Sequence, residues 1–217
     1  MLLIEKKHYE YIDIDSTPKI FIDLDGTLND YFKYFAQVNY YDLIKKKIRI
    51  SEISATGYRK SAIVRKYMHK HMMGRRLDYW SRVPMTRHGV TIWRSLRKYK
   101  PYVFMGVIED DHVMQMGKIK WCRRRNHLGF KVADYDRLLI NKNKIDYAMN
   151  GRTPNILIDD DPYICEQWEN AGGIAYYYFD NGLIADSIVE NVNRAYMENP
   201  SLDFLLSWDN NLKRYVF

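Results

Sequence analysis

Cysteine and long apolar runs are the scarcest features of this 217-residue sequence. Its only cysteines, Cys122 and Cys165, form no C-x-x-C pair, which excludes a disulfide scaffold and a zinc ribbon. No uninterrupted apolar stretch approaches the roughly 20 residues that cross a bilayer, and the N-terminus turns acidic too soon for a signal peptide. We therefore expect a cytoplasmic protein with no membrane partner.

Basic residues outnumber acidic ones in the chain. There are 34 Lys and Arg against 27 Asp and Glu, which gives a formal net charge of +7. A hydrophobic content of 47% excludes a disordered chain, and the length allows a core without disulfides or metals to hold it. The charge favours an anionic partner without saying which one.

Five short apolar segments alternate with helical patterns along the chain. The segments are apolar at nearly every position, which is typical of strands covered on both faces in a parallel sheet. Strands that alternate with helices predict an α/β protein with a Rossmann-like, doubly wound parallel sheet. The predicted strands are residues 19–24, 102–107, 137–140, 155–158 and 174–179.

The interval between the first two predicted strands is too long for a simple crossover. It spans about 75 residues, whereas a complete strand-helix-strand unit takes roughly 30. We predict a small helical cap at residues 29–83, inserted into a core made of residues 1–28 and 84–217. Basic residues concentrate in the cap, where they form either a solvated helix face or a lid that attracts phosphate esters: Arg59, Lys60, Arg65, Lys66, Lys70, Arg75 and Arg76.

The first predicted strand ends in two acids. Asp23 and Asp25 are two residues apart, so their side chains point the same way at the strand's carboxyl end, where open α/β sheets bind ligands. Two carboxylates this close repel each other unless a cation or a shared proton intervenes, and Mg²⁺ is the simplest candidate. Gly26 allows a sharp turn, and Thr27 offers a hydroxyl and an amide to an anion.

A second predicted strand also ends in acids. Asp159, Asp160 and Asp161 follow an apolar run directly and precede a helical pattern. Asp161 is in the position of a helix N-cap, with Pro162 in the first turn. If this strand neighbours the first, Asp159 and Asp160 complete an acidic metal site with Asp23.

The order of these motifs resembles the haloacid dehalogenase superfamily of phosphohydrolases. The D-x-D-G-T motif, a helical insertion, a basic helix and a late I-D-D motif carry the resemblance over residues 18 to 180. Weaker stretches are similar to the 5′-nucleotidase-like members that phages often carry: residues 78–80 to 100–102, 117–121, and 157–160 to 171–174.

The resemblance implies a Mg²⁺-dependent phosphomonoesterase acting on a phosphorylated small molecule, in the first instance a nucleotide. Asp23 would be the nucleophile that forms an aspartyl-phosphate, and Asp25 the general acid and then base. Mg²⁺ would be held by Asp23, by the backbone carbonyl of Asp25, and by Asp159 or Asp160. The presence of Asp25 argues against dehalogenase chemistry, which in this superfamily lacks that second acid.

The same resemblance implies a lysine that balances the negative charge of the phosphate and a Ser or Thr hydroxyl that binds the phosphate. For the lysine we favour Lys144, with Lys142 and Lys118 as alternatives. The hydroxyl is missing, because Met105 occupies the expected Ser or Thr position and methionine cannot donate a hydrogen bond. Backbone amides near Gly106 are one replacement.

Two alternatives to a nucleotidase remain open at this point. The basic cap favours a phosphatase that acts on terminal phosphates of DNA or RNA. Met105 favours a binding protein that kept the fold and lost catalytic power. Thr27, Gly106 and Lys118 are the candidate substrate-binding residues.

Overall fold

A five-stranded parallel sheet organises this computed structural model, which describes residues 18–73, 75–106, 111–124, 137–140 and 143–197. The strand order is β3-β2-β1-β6-β7, and β4 pairs with β5 in a separate antiparallel hairpin. The strands are β1 (Ile20–Asp23), β2 (Tyr102–Phe104), β3 (Leu138–Leu139), β4 (Met149–Asn150), β5 (Thr153–Pro154), β6 (Ile156–Asp159) and β7 (Ile174–Tyr177). The predicted α/β class with a parallel sheet is confirmed.

Strand β1 lies in the middle of the sheet, between β2 and β6. Ile22 pairs with Val103 on one side and with Ile158 on the other, and both pairings are parallel. Parallel neighbours end at the same edge of a sheet. The register therefore brings the carboxyl ends of β1 and β6, and the acids that the sequence carries there, to one edge.

Nine helices accompany the sheet within the described residues. They are α1 (Tyr31–Val38), α2 (Tyr40–Lys45), α3 (Ala55–Lys60), α4 (Ala62–Met72), α5 (Leu77–Ser81), α6 (Gly89–Leu96), α7 (His112–Arg124), α8 (Pro162–Asn170) and α9 (Gly182–Met197). The helical patterns that alternate with the predicted strands correspond to α6, α7, α8 and α9, and α1 to α5 lie within residues 29–83, where a helical segment was predicted. The short helices α2, α3 and α5 were not predicted individually.

The sheet is covered on both faces. Ile20 and Ile22 belong to the larger hydrophobic cluster, which includes residues of α6 and α9. Phe21 faces the other way and packs with Trp168 of α8, their ring centroids 5.5 Å apart. This alternation explains why β1 is apolar at successive positions, since both of its faces are buried.

Helix α8 begins where the sequence predicted. The Asp161 side chain accepts a hydrogen bond from the Tyr163 N–H (3.1 Å), and Pro162 is the first helical residue. Gly172, at φ +92°, follows the helix end. Asp161 is therefore the N-cap and points to its own helix, which separates it from the two acids before it.

Helices α1 to α5 lie between β1 and α6 in the chain, in the segment for which the sequence predicts a cap. Their buried residues, such as Tyr31, Met68 and Trp80, are in the same hydrophobic cluster as Ile22 of the sheet. The division into a core and a cap with boundaries at 29 and 83 stays a prediction. Residues 1–17 and 198–217 of the predicted core lie outside the described residues.

Candidate active site

Three aspartates meet at the carboxyl edge of the sheet. Asp23 ends β1, Asp159 ends β6 and Asp160 follows it, and each contributes a carboxylate oxygen to a group whose members lie within 4.8 Å of one another. Asp23 and Asp159 are almost completely buried. Carboxylate oxygens are the hard ligands that Mg²⁺ prefers, so the chemistry of this group, here called the acidic cluster, fits a divalent metal ion.

The turn after Asp23 is shaped around the acidic cluster. Gly26 has a φ of +97°, a region that side chains with a Cβ rarely adopt. A Cβ at Gly26 would lie only 2.1 Å from Oδ2 of Asp160. Glycine is thus required at position 26 for two reasons: the backbone conformation, and the space that the Asp160 carboxylate occupies.

Lys144 bridges two members of the cluster. Its Nζ lies 2.5 Å from Oδ1 of Asp23 and 2.6 Å from Oδ2 of Asp159. It reaches them from a 3₁₀ helix at Lys144–Tyr147. Burial by itself lowers the pKa of Lys144, but the charges of Asp159 and Asp23 outweigh burial and raise that pKa above its usual range, so the ammonium stays protonated.

The cluster nevertheless holds more negative charge than one lysine balances. Burial, together with the charges of Asp159 and Asp25, raises the pKa of Asp23 to about 7 despite the opposing effect of Lys144. Burial and the charges of Asp23 and Asp159 raise the pKa of Asp160 well above its usual value. Two unit charges at about 5 Å repel by roughly 3 kcal/mol at an effective dielectric constant near 20. A divalent cation would relieve this repulsion.

Asp25 is held apart from the acidic cluster. Its Oδ1 accepts a hydrogen bond from Nδ2 of Asn29 (3.0 Å), and its Oδ2 pairs with Nζ of Lys118. The Lys118 ammonium also contacts the carbonyl oxygen of Gly106 and is almost completely buried. A carboxylate fixed by two donors beside a metal-binding group is suitably oriented for proton transfer.

The lysines named from the sequence have different positions. Lys144 contacts the acidic cluster, whereas Lys118 contacts Asp25, which is not a member of the cluster. Lys142 lies outside the described residues. The geometry therefore favours Lys144 for the charge-balancing role and gives Lys118 a separate partner, while both roles stay predictions.

Thr27 and Met105 do not reach solvent. Thr27 is fully buried, and its Oγ1 has no hydrogen-bond partner among the described residues. Met105 is 1% exposed and packs in the larger hydrophobic cluster. Phosphate binding by Thr27 therefore stays a prediction, because no contact supports it. The hydroxyl that the resemblance implies has no counterpart at Met105, which is buried, or at Thr27, which does not reach solvent.

Gly106 borders a space that none of the described residues fills, and residues 107–110, which follow it, lie outside the described residues. Among the described residues, no atom lies within 4 Å of the point where a Cβ on Gly106 would be. Its carbonyl is engaged by Lys118, as above, so the segment is linked to Asp25 through that lysine. A backbone next to open space can approach a ligand closely, which is consistent with the predicted substrate contact.

Asn29 was not named from the sequence, and Arg59 was named only for its charge and not for its contacts. Asn29 lies four residues after Asp25, and the D-G-T turn is the only local signal that pointed to it. Arg59 of α3 pairs with Oδ2 of Asp161 and lies over the ring of Tyr163, 4.3 Å from its centroid. Arg59 therefore joins α3 to the chain directly after the acidic cluster, a contact across 102 residues that no local pattern signals.

Comparison with known proteins finds a distant likeness to solved structures. No protein-family model matches the chain, and neither does any curated protein. A crystal structure of a HAD family enzyme from Bacteroides thetaiotaomicron, in complex with magnesium and inorganic phosphate, matches at a TM-score of 0.39 and 16% identity. That match covers 76% of this chain and 95% of the other. Within the described residues, no helix is both long and apolar enough to cross a bilayer.

Proposed function

We propose that this protein is a Mg²⁺-dependent phosphomonoesterase of the haloacid dehalogenase type, acting on a nucleotide phosphate either free or at the end of a strand. The observation that carries the proposal is the acidic cluster: three carboxylates from two neighbouring strands, with Lys144 between two of them. The sequence resemblance supports the choice of phosphate esters, and the net charge of +7 supports an anionic substrate.

In the proposed reaction an Asp23 carboxylate oxygen attacks the substrate phosphorus. The P–O bond to the leaving group breaks as the aspartyl-phosphate forms, and Asp25, in its protonated form, donates a proton to the leaving oxygen and becomes a carboxylate. Asp25 then removes a proton from water, which attacks the same phosphorus and releases inorganic phosphate with a restored Asp23. Asn29 and Lys118 support this role by fixing the Asp25 carboxylate.

The residues that would hold Mg²⁺ are Asp23, Asp159 and Asp160. Bound there, the ion supplies charge neutralisation for the phosphoryl oxygens during transfer. Lys144 adds a positive charge that remains at every physiological pH, because its pKa is raised. The alternative of a binding protein without turnover rests on Met105, which is buried in the core and offers no hydroxyl to a phosphate.

The test is hydrolysis of p-nitrophenyl phosphate and of nucleoside monophosphates with Mg²⁺, comparing the wild type with Asp23→Asn. We expect Asp23→Asn to lower turnover by at least ~10³-fold, because an amide is a far weaker nucleophile than a carboxylate. Asp186→Asn, an exposed acid on α9, is the matched control and should keep wild-type turnover. Turnover that persists in Asp23→Asn would exclude Asp23 as the nucleophile.

A further inference from the structure

Positive charge is distributed very unevenly along the chain. Residues 29–83 contain thirteen Lys and Arg against four Asp and Glu, a net charge of +9. The remaining residues together have a net charge of −2. The net positive charge of the protein therefore comes entirely from residues 29–83, the segment that contains α1 to α5. A polyanion would be attracted to this segment.

This segment contains an open groove of about 510 Å³. Three arginines, two tyrosines and one aspartate line it: Tyr34, Arg75, Arg76, Asp78, Tyr79 and Arg82. We call it the basic groove. It is distinct from the acidic cluster, with which it shares no lining residue.

Arg75 is fixed in the basic groove before any ligand binds. Its Nε donates to the carbonyl oxygen of His71 (2.6 Å), and its Nη2 donates to Oδ1 of Asn39 (2.6 Å). The guanidinium also lies 4.9 Å from the ring centroid of Tyr79. Such a preorganised guanidinium loses little entropy when it binds an anion, and the N–H groups that it does not use in these two bonds can donate to a phosphate oxygen.

The single acid of the groove is already balanced. Asp78 is 3.2 Å from Nζ of Lys120 and 4.0 Å from Nη2 of Arg82. Arg76 and Arg82 are exposed, and the side chain of Arg82 keeps 69% of its surface accessible. The groove therefore presents net positive charge to solvent on flexible side chains that can follow a polyanion.

The tyrosine rings do not form a platform for bases. Tyr79 is covered by Arg75, as above, and packs against Tyr34 with ring centroids 5.2 Å apart. Trp80 meets the Tyr79 ring at right angles, 5.1 Å between centroids. Stacking on these faces is already satisfied within the protein, so charge, rather than base stacking, is what the groove offers.

The groove is close to the acid-base residue of the proposed reaction. Helix α5 carries both Tyr79 and Trp80, and the Trp80 ring centroid is 5.5 Å from Nζ of Lys118. Lys118 in turn pairs with Asp25. Trp80 and Lys118 therefore connect the helix that lines the groove to Asp25.

We propose that the basic groove binds the phosphodiester backbone of a nucleic-acid strand, without regard to base sequence. The substrate of the acidic cluster is then a phosphate at a strand terminus rather than a mononucleotide, and this second statement rests on the proposed phosphatase function. Three arginines in one open groove offer positive charge to more than one backbone phosphate, whereas a mononucleotide offers only the phosphate that the acidic cluster would take.

The test uses a short fluorescein-labelled single strand with no terminal phosphate, so that binding is independent of hydrolysis. Fluorescence anisotropy gives Kd for the full-length protein at several KCl concentrations between ~50 and ~200 mM. We expect affinity to fall steeply with salt, by a slope of about 0.7 in log Kd against log salt for each phosphate contacted. Arg76→Gln combined with Arg82→Gln should weaken binding about tenfold and flatten that slope.

The matched control is Arg94→Gln combined with Arg97→Gln. These two exposed arginines lie on α6 and the turn after it, outside the groove, and their loss changes the net charge by the same amount. Wild-type affinity in this control supports the groove. Equal weakening in both double variants would overturn it, because charge anywhere on the surface would then suffice.

Three further results would overturn the proposal. They are wild-type affinity in the groove variant, competition by dAMP as effective as by the unlabelled strand, and capture of anionic vesicles in place of the strand. Hydrolysis of p-nitrophenyl phosphate is measured beside these. Strand binding without hydrolysis would support the proposal for the basic groove and reject the phosphatase function. Hydrolysis without strand binding would support the phosphatase function and reject the proposal for the groove.

Discussion

The acidic cluster and the basic groove use charge in opposite ways. At the sheet edge the partners are buried, with the side chains of Asp159 and Lys144 only 2% and 13% exposed, and strand register fixes the positions of Asp23 and Asp159. In the groove Arg82 remains 69% exposed and pairs loosely with Asp78. Buried charges cost folding energy unless they are paired, whereas surface pairs contribute little. The cluster is therefore suited to hold an ion in place, and the groove to attract a chain.

We expect the largest difference when one lysine is removed beside each region, Lys144 at the acidic cluster and Lys120, the partner of Asp78, at the basic groove. Lys144→Met leaves two buried carboxylates without their shared partner, so we expect a loss of roughly 3–5 kcal/mol in unfolding free energy at neutral pH without metal. Phosphatase turnover should fall by about 100-fold, since the phosphate charge loses its counter-charge.

Lys120→Met provides the comparison, because its Nζ lies 3.2 Å from the half-exposed Asp78. This change should cost less than ~1 kcal/mol. Urea denaturation of both variants measures the two costs. Comparable losses would mean that the partners of Lys144 are not buried as the structure has them.

The pH dependence of stability should also separate the two regions. The pKa of Asp23 is about 7 in the folded protein, against an ordinary value of 3.8. The folded protein therefore binds more protons than the unfolded chain between these values, and stability falls as pH rises from about 4 to about 7. Three pKa units correspond to roughly 4 kcal/mol for this one group.

Urea denaturation in EDTA across that pH range measures the effect. Asp23→Asn should remove this part of the slope, while Asp78→Asn, at the exposed groove, should leave it unchanged. Adding Mg²⁺ to the wild type should restore stability near pH 7, because the cation favours the ionised cluster. A slope that is the same in Asp23→Asn and the wild type would contradict the assignment.

A pair of glycine substitutions gives the smallest of these effects. Gly26→Ala forces a Cβ into the Asp160 carboxylate at a φ of +97°, so we expect a loss of about 2 kcal/mol and weaker Mg²⁺ binding. Gly106→Ala meets open space among the described residues and should be nearly neutral. Thermal denaturation and calorimetric Mg²⁺ titration compare the two. Equal tolerance at both positions would show that the turn at Gly26 relaxes easily.

Much of the fold was predictable because it depends on local rules. Apolar runs identified the strands β1, β2, β3, β6 and β7, and Asp161 with Pro162 marked the start of α8. The predicted ends were less accurate: the strand expected at 174–179 ends at Tyr177. Short helices such as α2 and α3 were missed, since six residues are too few to show a clear hydrophobic period.

The candidate site was predictable only in part. Adjacent acids at two strand ends named Asp23, Asp159 and Asp160, and the structure brings them together. The partner of Asp25 was not predictable, because Lys118 lies 93 residues away in the sequence. Nor could spacing assemble the basic groove, which joins Tyr34 of α1 to arginines on both sides of α5.

The sequence alone determined which residues carry charge, which segments are strands, and that two strands end in acids. The tertiary structure decided that β6 lies beside β1, that Lys144 rather than Lys118 contacts the acidic cluster, and that exposed arginines line one groove. The physical reason is the distance along the chain over which each effect acts. Propensity and periodicity act over a few residues, whereas a site depends on strand order and packing between segments that are distant in the chain.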